Sequence, residues 1–258
     1  MVHVFFVVVV FVVLFIIMAA CVAVGRRYGC KQVETHHKHK LEVVDVAESA
    51  VFALLGLLIA FTFSGAYDRY EQRKLHILQE ANVYDTAYEY IDLLPVQYQP
   101  QLRSDVRQFL DLHLATYNDI PFAARVNRDL GQAIIVQHRI WKTLVAGSQG
   151  NPNNDVFIPA FSKMFEITHE GINMTLIHPP AVIFLLLVGL AALGAFLVGY
   201  NSAETTKKYP LHMLCYVLLT TFTIFIIINL EFPRVGFIRF SSFDQMLVDV
   251  RNDMTYGG

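Results

Sequence analysis

The ionisable residues of this 258-residue chain are spaced for charge pairing rather than for bond breaking. Glu231-Phe232-Pro233-Arg234 closes a long apolar run. A carboxylate at a membrane edge needs a partner, because an unpaired charge there is costly. Arg234 and Arg69 are the candidate partners, which makes a structural ion pair the expected chemistry. His36-His37-Lys38-His39-Lys40 gathers three imidazoles, and clustered histidines can hold a metal. Lysines interleave them and no carboxylate stands at a fixed spacing, so a solvated basic loop is expected. His113, His138, His169 and His178 fall in separate segments and read as surface or core residues. Cys21, Cys30 and Cys215 are scattered, with no CxxC pair to indicate zinc or a disulfide framework. GxSxG, HExxH, Walker and GxGxxG motifs are absent from the sequence. The expectation is a non-enzyme with no metal and no cofactor.

The elements that position these residues are four apolar, charge-free segments. They run Val4 to Val24, Ser49 to Tyr67, Pro180 to Tyr200 and Leu211 to Leu230. About 20 residues of helix cross about 30 Å of hydrocarbon. A spanning barrel would instead show alternating segments of about ten residues. The first segment lacks a basic leader and is longer than a signal core, so a retained anchor is expected. A net charge of −2 leaves no basic footprint for nucleic acid. The fold class is therefore an all-α membrane protein: four transmembrane helices with a helical extramembrane bundle between spans two and three. Its expected divisions are a first helix pair with a basic connecting loop (1–67), the bundle (68–178), a second helix pair (179–230) and a tail (231–258) docking on the bundle.

Four helices are expected in the bundle. Their apolar stripes are Leu75, Leu78, Ala81, Tyr84, Tyr88 and Ile91; then Leu102, Val106, Phe109, His113 and Tyr117; then Phe122, Val126, Leu130, Ala133, Gln137, Trp141 and Leu144; then Ile158, Phe161, Phe165, Thr168 and Ile172. No glycine or proline stop follows Tyr67, so span two is expected to continue outward as one long helix. The fourth bundle helix is expected to break at Pro179-Pro180 before span three.

Within the spans, small residues recur every four positions at Gly56, Ala60 and Ser64, and at Ala191, Ala195 and Gly199. Such rows let helices approach closely in lipid. Span two also carries a bulky row, Ala53, Leu57 and Phe61, and an alternative row, Leu55, Ile59 and Phe63. Apolar rings contributed by several copies can form a constriction that gates by dewetting. Basic residues flank both sides of the membrane almost equally. Arg26, Arg27, Lys31, Lys38, Lys40, Lys207 and Lys208 stand on one side, and Arg69, Arg73, Lys74, Lys163, Arg234 and Arg239 on the other. The positive-inside rule favours the first set in the cytoplasm by a single charge.

Leu57-Leu58-Ile59-Ala60-Phe61-Thr62-Phe63-Ser64-Gly65-Ala66, the pair Arg69-Tyr70 with Arg73, Glu80-Ala81-Asn82, Asp92-Leu93-Leu94-Pro95 and Asn229-Leu230-Glu231-Phe232-Pro233-Arg234-Val235-Gly236 carry a family likeness. The chain resembles the bestrophin-like family of bacterial membrane proteins, long catalogued as a domain of unknown function, and more remotely the bestrophin channels. The resemblance implies a homo-oligomeric ion channel of the bacterial inner membrane, pentameric as bestrophins are. Conduction would be passive, through an axial pore lined by span two with an apolar neck. Matching Arg69-Tyr70 to the family's Arg-aromatic pair puts Ala53, Leu57 and Phe61 at the neck. It also implies cytoplasmic termini and a cytoplasmic bundle, the reverse of the charge count. The acidic calcium cluster of animal bestrophins has no counterpart here. The expected partners are the lipid bilayer, inorganic ions and further copies of the chain. The alternative is a membrane sensor or scaffold whose helical middle binds a ligand or a partner protein.

Overall fold

The structure is a computed structural model that describes residues 2–35, 41–120, 123–203, 210–234 and 241–256. The His36 to Lys40 cluster lies outside the described residues. The fold is all-α, built from α1 (Val2–Thr35), α2 (Leu41–Glu89), α3 (Gln99–Asp119), α4 (Ala123–Ser148), α5 (Asn154–Leu176), α6 (Ala181–Asn201), α7 (Pro210–Glu231) and α8 (Ser241–Tyr256). A 3-10 turn, Tyr90–Leu93, follows α2. Four helical stretches are long and apolar enough to cross a membrane: Val8–Gln32, Glu48–Leu93, Asn154–Asn201 and Leu211–Glu231. The chain is a multi-pass membrane protein. The valine-rich start of α1 would favour a strand in water; lipid offers the backbone no outside partner, so helix is the form that satisfies it.

The chain divides into two compact units, Met1–Arg69 with His178–Ile238 and Tyr70–Ile177 with Arg239–Gly258. Because α2 runs unbroken from Leu41 to Glu89, the division falls inside that helix.

In the first unit α1 lies against α6 and α7. A Cβ added at Gly25 would collide with the Phe196 carbonyl oxygen, one at Gly29 with that of Tyr200, and one at Gly199 with that of Val22. Ala191 and Ala195 are fully buried along the same side of α6. Phe11 packs edge-on against Phe225, their ring centres 5.3 Å apart, and Phe52 reaches Tyr216 at 5.6 Å. The basic connecting loop expected between the first two spans is helical where described, over residues 25–35 and 41–45. The two arginines make Gly25-Arg26-Arg27-Tyr28-Gly29 look like a loop, but its glycines are the packing surface of α1.

In the second unit Tyr84, Ile91, Leu102, Phe109, Leu110, Ile140, Leu144, Phe157, Phe161 and Met164 form one apolar core. Leu247 and Met254 of α8 belong to it, and the Tyr88 hydroxyl donates to the Met254 carbonyl at 2.7 Å. Arg73 donates from Nε to the Met174 carbonyl and from a terminal nitrogen to that of Ile177, at 3.0 and 3.1 Å. Those contacts satisfy the otherwise unpaired carbonyls at the end of α5. All five residues of the expected α3 stripe are buried. Two other stripes differ. Leu75 and Leu78 are exposed while Ile77 and the polar Arg73, His76 and Glu80 point inward. On α4 the buried residues are Val126, Asp129, Val136, Ile140, Leu144 and Gly147, and Trp141 is exposed. On α2, polar side chains that find partners inside hold the inward positions.

Candidate functional site

The free surface of α2 is the first candidate. Leu57 and Phe61 are 54% and 68% exposed, and Ala53 is exposed above them. At 3.6 residues per turn, Gly56, Ala60 and Ser64 lie beside that row on the same side of the helix. All three are exposed, and no atom comes within 4 Å of a Cβ built on Gly56. The alternative row lies elsewhere: Leu55 is buried at 4% exposure, Ile59 is half-buried and Phe63 is exposed. Of the four candidate spans, that of α2 has the smallest share buried within the chain, 11% against 22% to 28% for the others. One face of α2 thus carries a bulky apolar row beside a small-residue row, both free of the chain's own packing.

The second candidate sits where α2 and α7 leave the apolar region. Arg69 places Nε 2.8 Å and a terminal nitrogen 2.7 Å from one oxygen of Glu231. The other oxygen lies 3.2 Å from Nδ1 of His178. The Glu231 side chain is wholly buried and that of Arg69 is 35% exposed. The His178 ring lies tilted against Phe232 with ring centres 4.3 Å apart. Arg234, the other partner expected, follows three residues later and is half-buried. His178 escaped the sequence reading as a partner; its place directly before Pro179-Pro180, at the edge of span three, was the available signal.

A third polar group lies inside the second unit. The Tyr117 hydroxyl stands 2.9 and 3.0 Å from the two oxygens of Glu80, and His113 Nε2 is 3.1 Å from one of them. His76 Nε2 is engaged by the Ile167 carbonyl at 2.8 Å. A Cβ on Gly171 would meet the Tyr117 hydroxyl at 2.6 Å and would collide with a Glu80 oxygen, so this cluster is filled. Burial pushes the nearby Tyr84 hydroxyl well above the ordinary tyrosine range. Its bond with Thr168 opposes the shift and the Glu80 charge adds to it. Glu80 is part of Glu80-Ala81-Asn82, one of the segments carrying the family likeness, yet nothing in its spacing reveals that it turns inward. Among the described residues no group of three His, Cys, Asp or Glu could hold a metal.

No family model matches the sequence, and no curated protein matches it. Solved structures do match. One variant of a bacterial bestrophin homologue from Klebsiella pneumoniae is 11% identical with a TM-score of 0.69, the match covering 96% of this chain and 98% of that one. A second variant of it is 12% identical with a TM-score of 0.67, over 96% and 98%. A third is 10% identical with a TM-score of 0.68, over 96% and 99%. At such identities the likeness is one of fold, and the fold of this chain is that of the bacterial bestrophin homologues over nearly its whole length.

Proposed function

We propose that the chain is a passive ion channel of the bacterial inner membrane, assembled from identical copies around an axial pore. The number of copies implied by the resemblance to bestrophins is five. In this reading α2 lines the pore. Ala53, Leu57 and Phe61 face the axis and narrow it by bulk and by dewetting rather than by charge. Gly56, Ala60 and Ser64, beside them, let neighbouring copies of α2 come close.

The observation that carries this is the free apolar face of α2. Phe61 is 68% exposed in the chain alone, whereas Leu55 of the other row is already buried. A side chain committed to its own chain's interior cannot ring a shared axis, so the first row is preferred. The solved structures of like fold support the channel class.

The test is ion flux through the purified chain in liposomes, under anion and cation gradients in turn, for the natural sequence and Phe61→Ala. Flux from both, larger in the variant, is the expected result. Unchanged flux in a folded variant removes Phe61 from the neck. No flux from either, in a folded oligomer, returns the sensor or scaffold reading to first place.

A further inference from the structure

The sides of α1 are unequal. Val22, Gly25 and Gly29 face α6 and are buried. The opposite side is apolar along Val9, Val13, Ile16, Ala20 and Ala23, all exposed, and then meets Arg27 and Lys31. From Val9 to Arg27 is 18 residues, or about 27 Å of helix, close to the depth of the hydrocarbon layer. The cations therefore stand where lipid headgroups lie. At that end a groove of about 640 Å³ is lined by Ala23, Val24, Arg26, Arg27, Tyr28 and Lys31, among others. Its size is in the range of small-molecule sites, ~300–1,000 Å³. Its lining is apolar at Ala23 and Val24 and cationic at Arg26, Arg27 and Lys31. Among the described residues no carboxylate lines it or pairs with Arg26 or Arg27.

We propose that this groove holds one anionic phospholipid, with the headgroup phosphate against Arg26 and Arg27 and an acyl chain along Ala23, Ala20 and Ile16. Guanidinium groups bind phosphate in a planar, two-pronged way, which suits paired arginines. Ala20 and Ala23 are exposed on that side of α1, where the first carbons of the chain would sit. Tyr28, 63% exposed, places an amphipathic ring at headgroup level, as interfacial tyrosines do. A zwitterionic lipid brings a compensating cation next to the two arginines and is disfavoured. The site stands whether or not the chain conducts.

The test uses the full chain in mixed micelles carrying phosphatidylglycerol and phosphatidylcholine in equal amounts, with bound lipid counted by native mass spectrometry. The expected result is selective retention of phosphatidylglycerol. Arg26→Gln with Arg27→Gln lowers that retention roughly tenfold or more, from two lost cations at an anionic headgroup. Arg26→Lys with Arg27→Lys keeps most of it. Equal retention of the two lipids overturns the proposal, as does retention untouched in the glutamine variant. Displacement of the lipid by millimolar inorganic phosphate also overturns it, since the groove would then take a soluble anion. A changed copy number in the glutamine variant overturns it in favour of a contact between copies. If the double glutamine variant does not fold, Arg27→Gln alone is read in the same way: a partial loss of selectivity supports the site, and none overturns it.

Discussion

Arg69 and Glu231 meet at the membrane edge through two nitrogens on a single carboxylate oxygen, at 2.8 and 2.7 Å, with very unequal access to solvent. The carboxylate is wholly buried and the guanidinium is about one-third exposed. Their loss should be unequal too. Arg69→Gln takes the guanidinium away from a wholly buried carboxylate, and breaking a buried pair in this way costs about 3–5 kcal/mol. Glu231→Gln leaves an arginine that can turn toward solvent, and should cost about 1–2 kcal/mol as a lost charge-assisted hydrogen bond. Thermal melts of both variants in detergent check the order. A costlier Glu231→Gln would mean that Arg69 is held by contacts other than this pair.

Gly171 is the most crowded of the described glycines in the second unit. Glycine to alanine in a helix ordinarily stabilises by up to about 1 kcal/mol. Here the added methyl would run into Glu80 and the Tyr117 hydroxyl, with His76 at 3.0 Å, so Gly171→Ala should destabilise by about 1–3 kcal/mol. Gly131→Ala on α4 is the matched control, since no atom lies within 4 Å of its Cβ position. It should be neutral or stabilising. Opposite signs in denaturation of the two variants are the expected outcome.

Gly56 has open space around its Cβ position within one chain. If copies of α2 approach one another there, Gly56→Leu should shift the assembly toward fewer copies. Melting of the single chain's fold should stay close to that of the natural sequence. Size measurement in detergent, with helix content as the control, reads both. An unchanged assembly would remove the small-residue row from the contact between copies.

Some of this was plain in the linear chain and some was not. The four spans were legible because the length of an apolar run maps directly onto the thickness of hydrocarbon. The α3 stripe was legible because Leu102, Val106, Phe109, His113 and Tyr117 recur at helical spacing and all turn inward. The run of span two into the bundle helix was legible because nothing stops it before Glu89. The opposite held for α2 beyond the membrane. Apolar counting selected Leu75 and Leu78, while His76 and Glu80 hold the inward positions. A hydropathy pattern ranks a carboxylate as outward. It takes no account of the Tyr117 hydroxyl and the His113 ring that receive it.

The same distinction runs through the candidate sites. Residue order by itself determined an all-helical membrane chain with a bundle between its second and third spans, because lipid forces helix and apolar length sets the crossings. Tertiary structure decided that Gly25 and Gly29 pack on α6 instead of forming a loop. It also decided that Leu55 turns into its own chain while Leu57 and Phe61 remain free, and that His178 joins Arg69 at Glu231. Each of these depends on which helix lies alongside, and on pairings far apart in the chain, 162 positions for Arg69 and Glu231, which local periodicity does not encode.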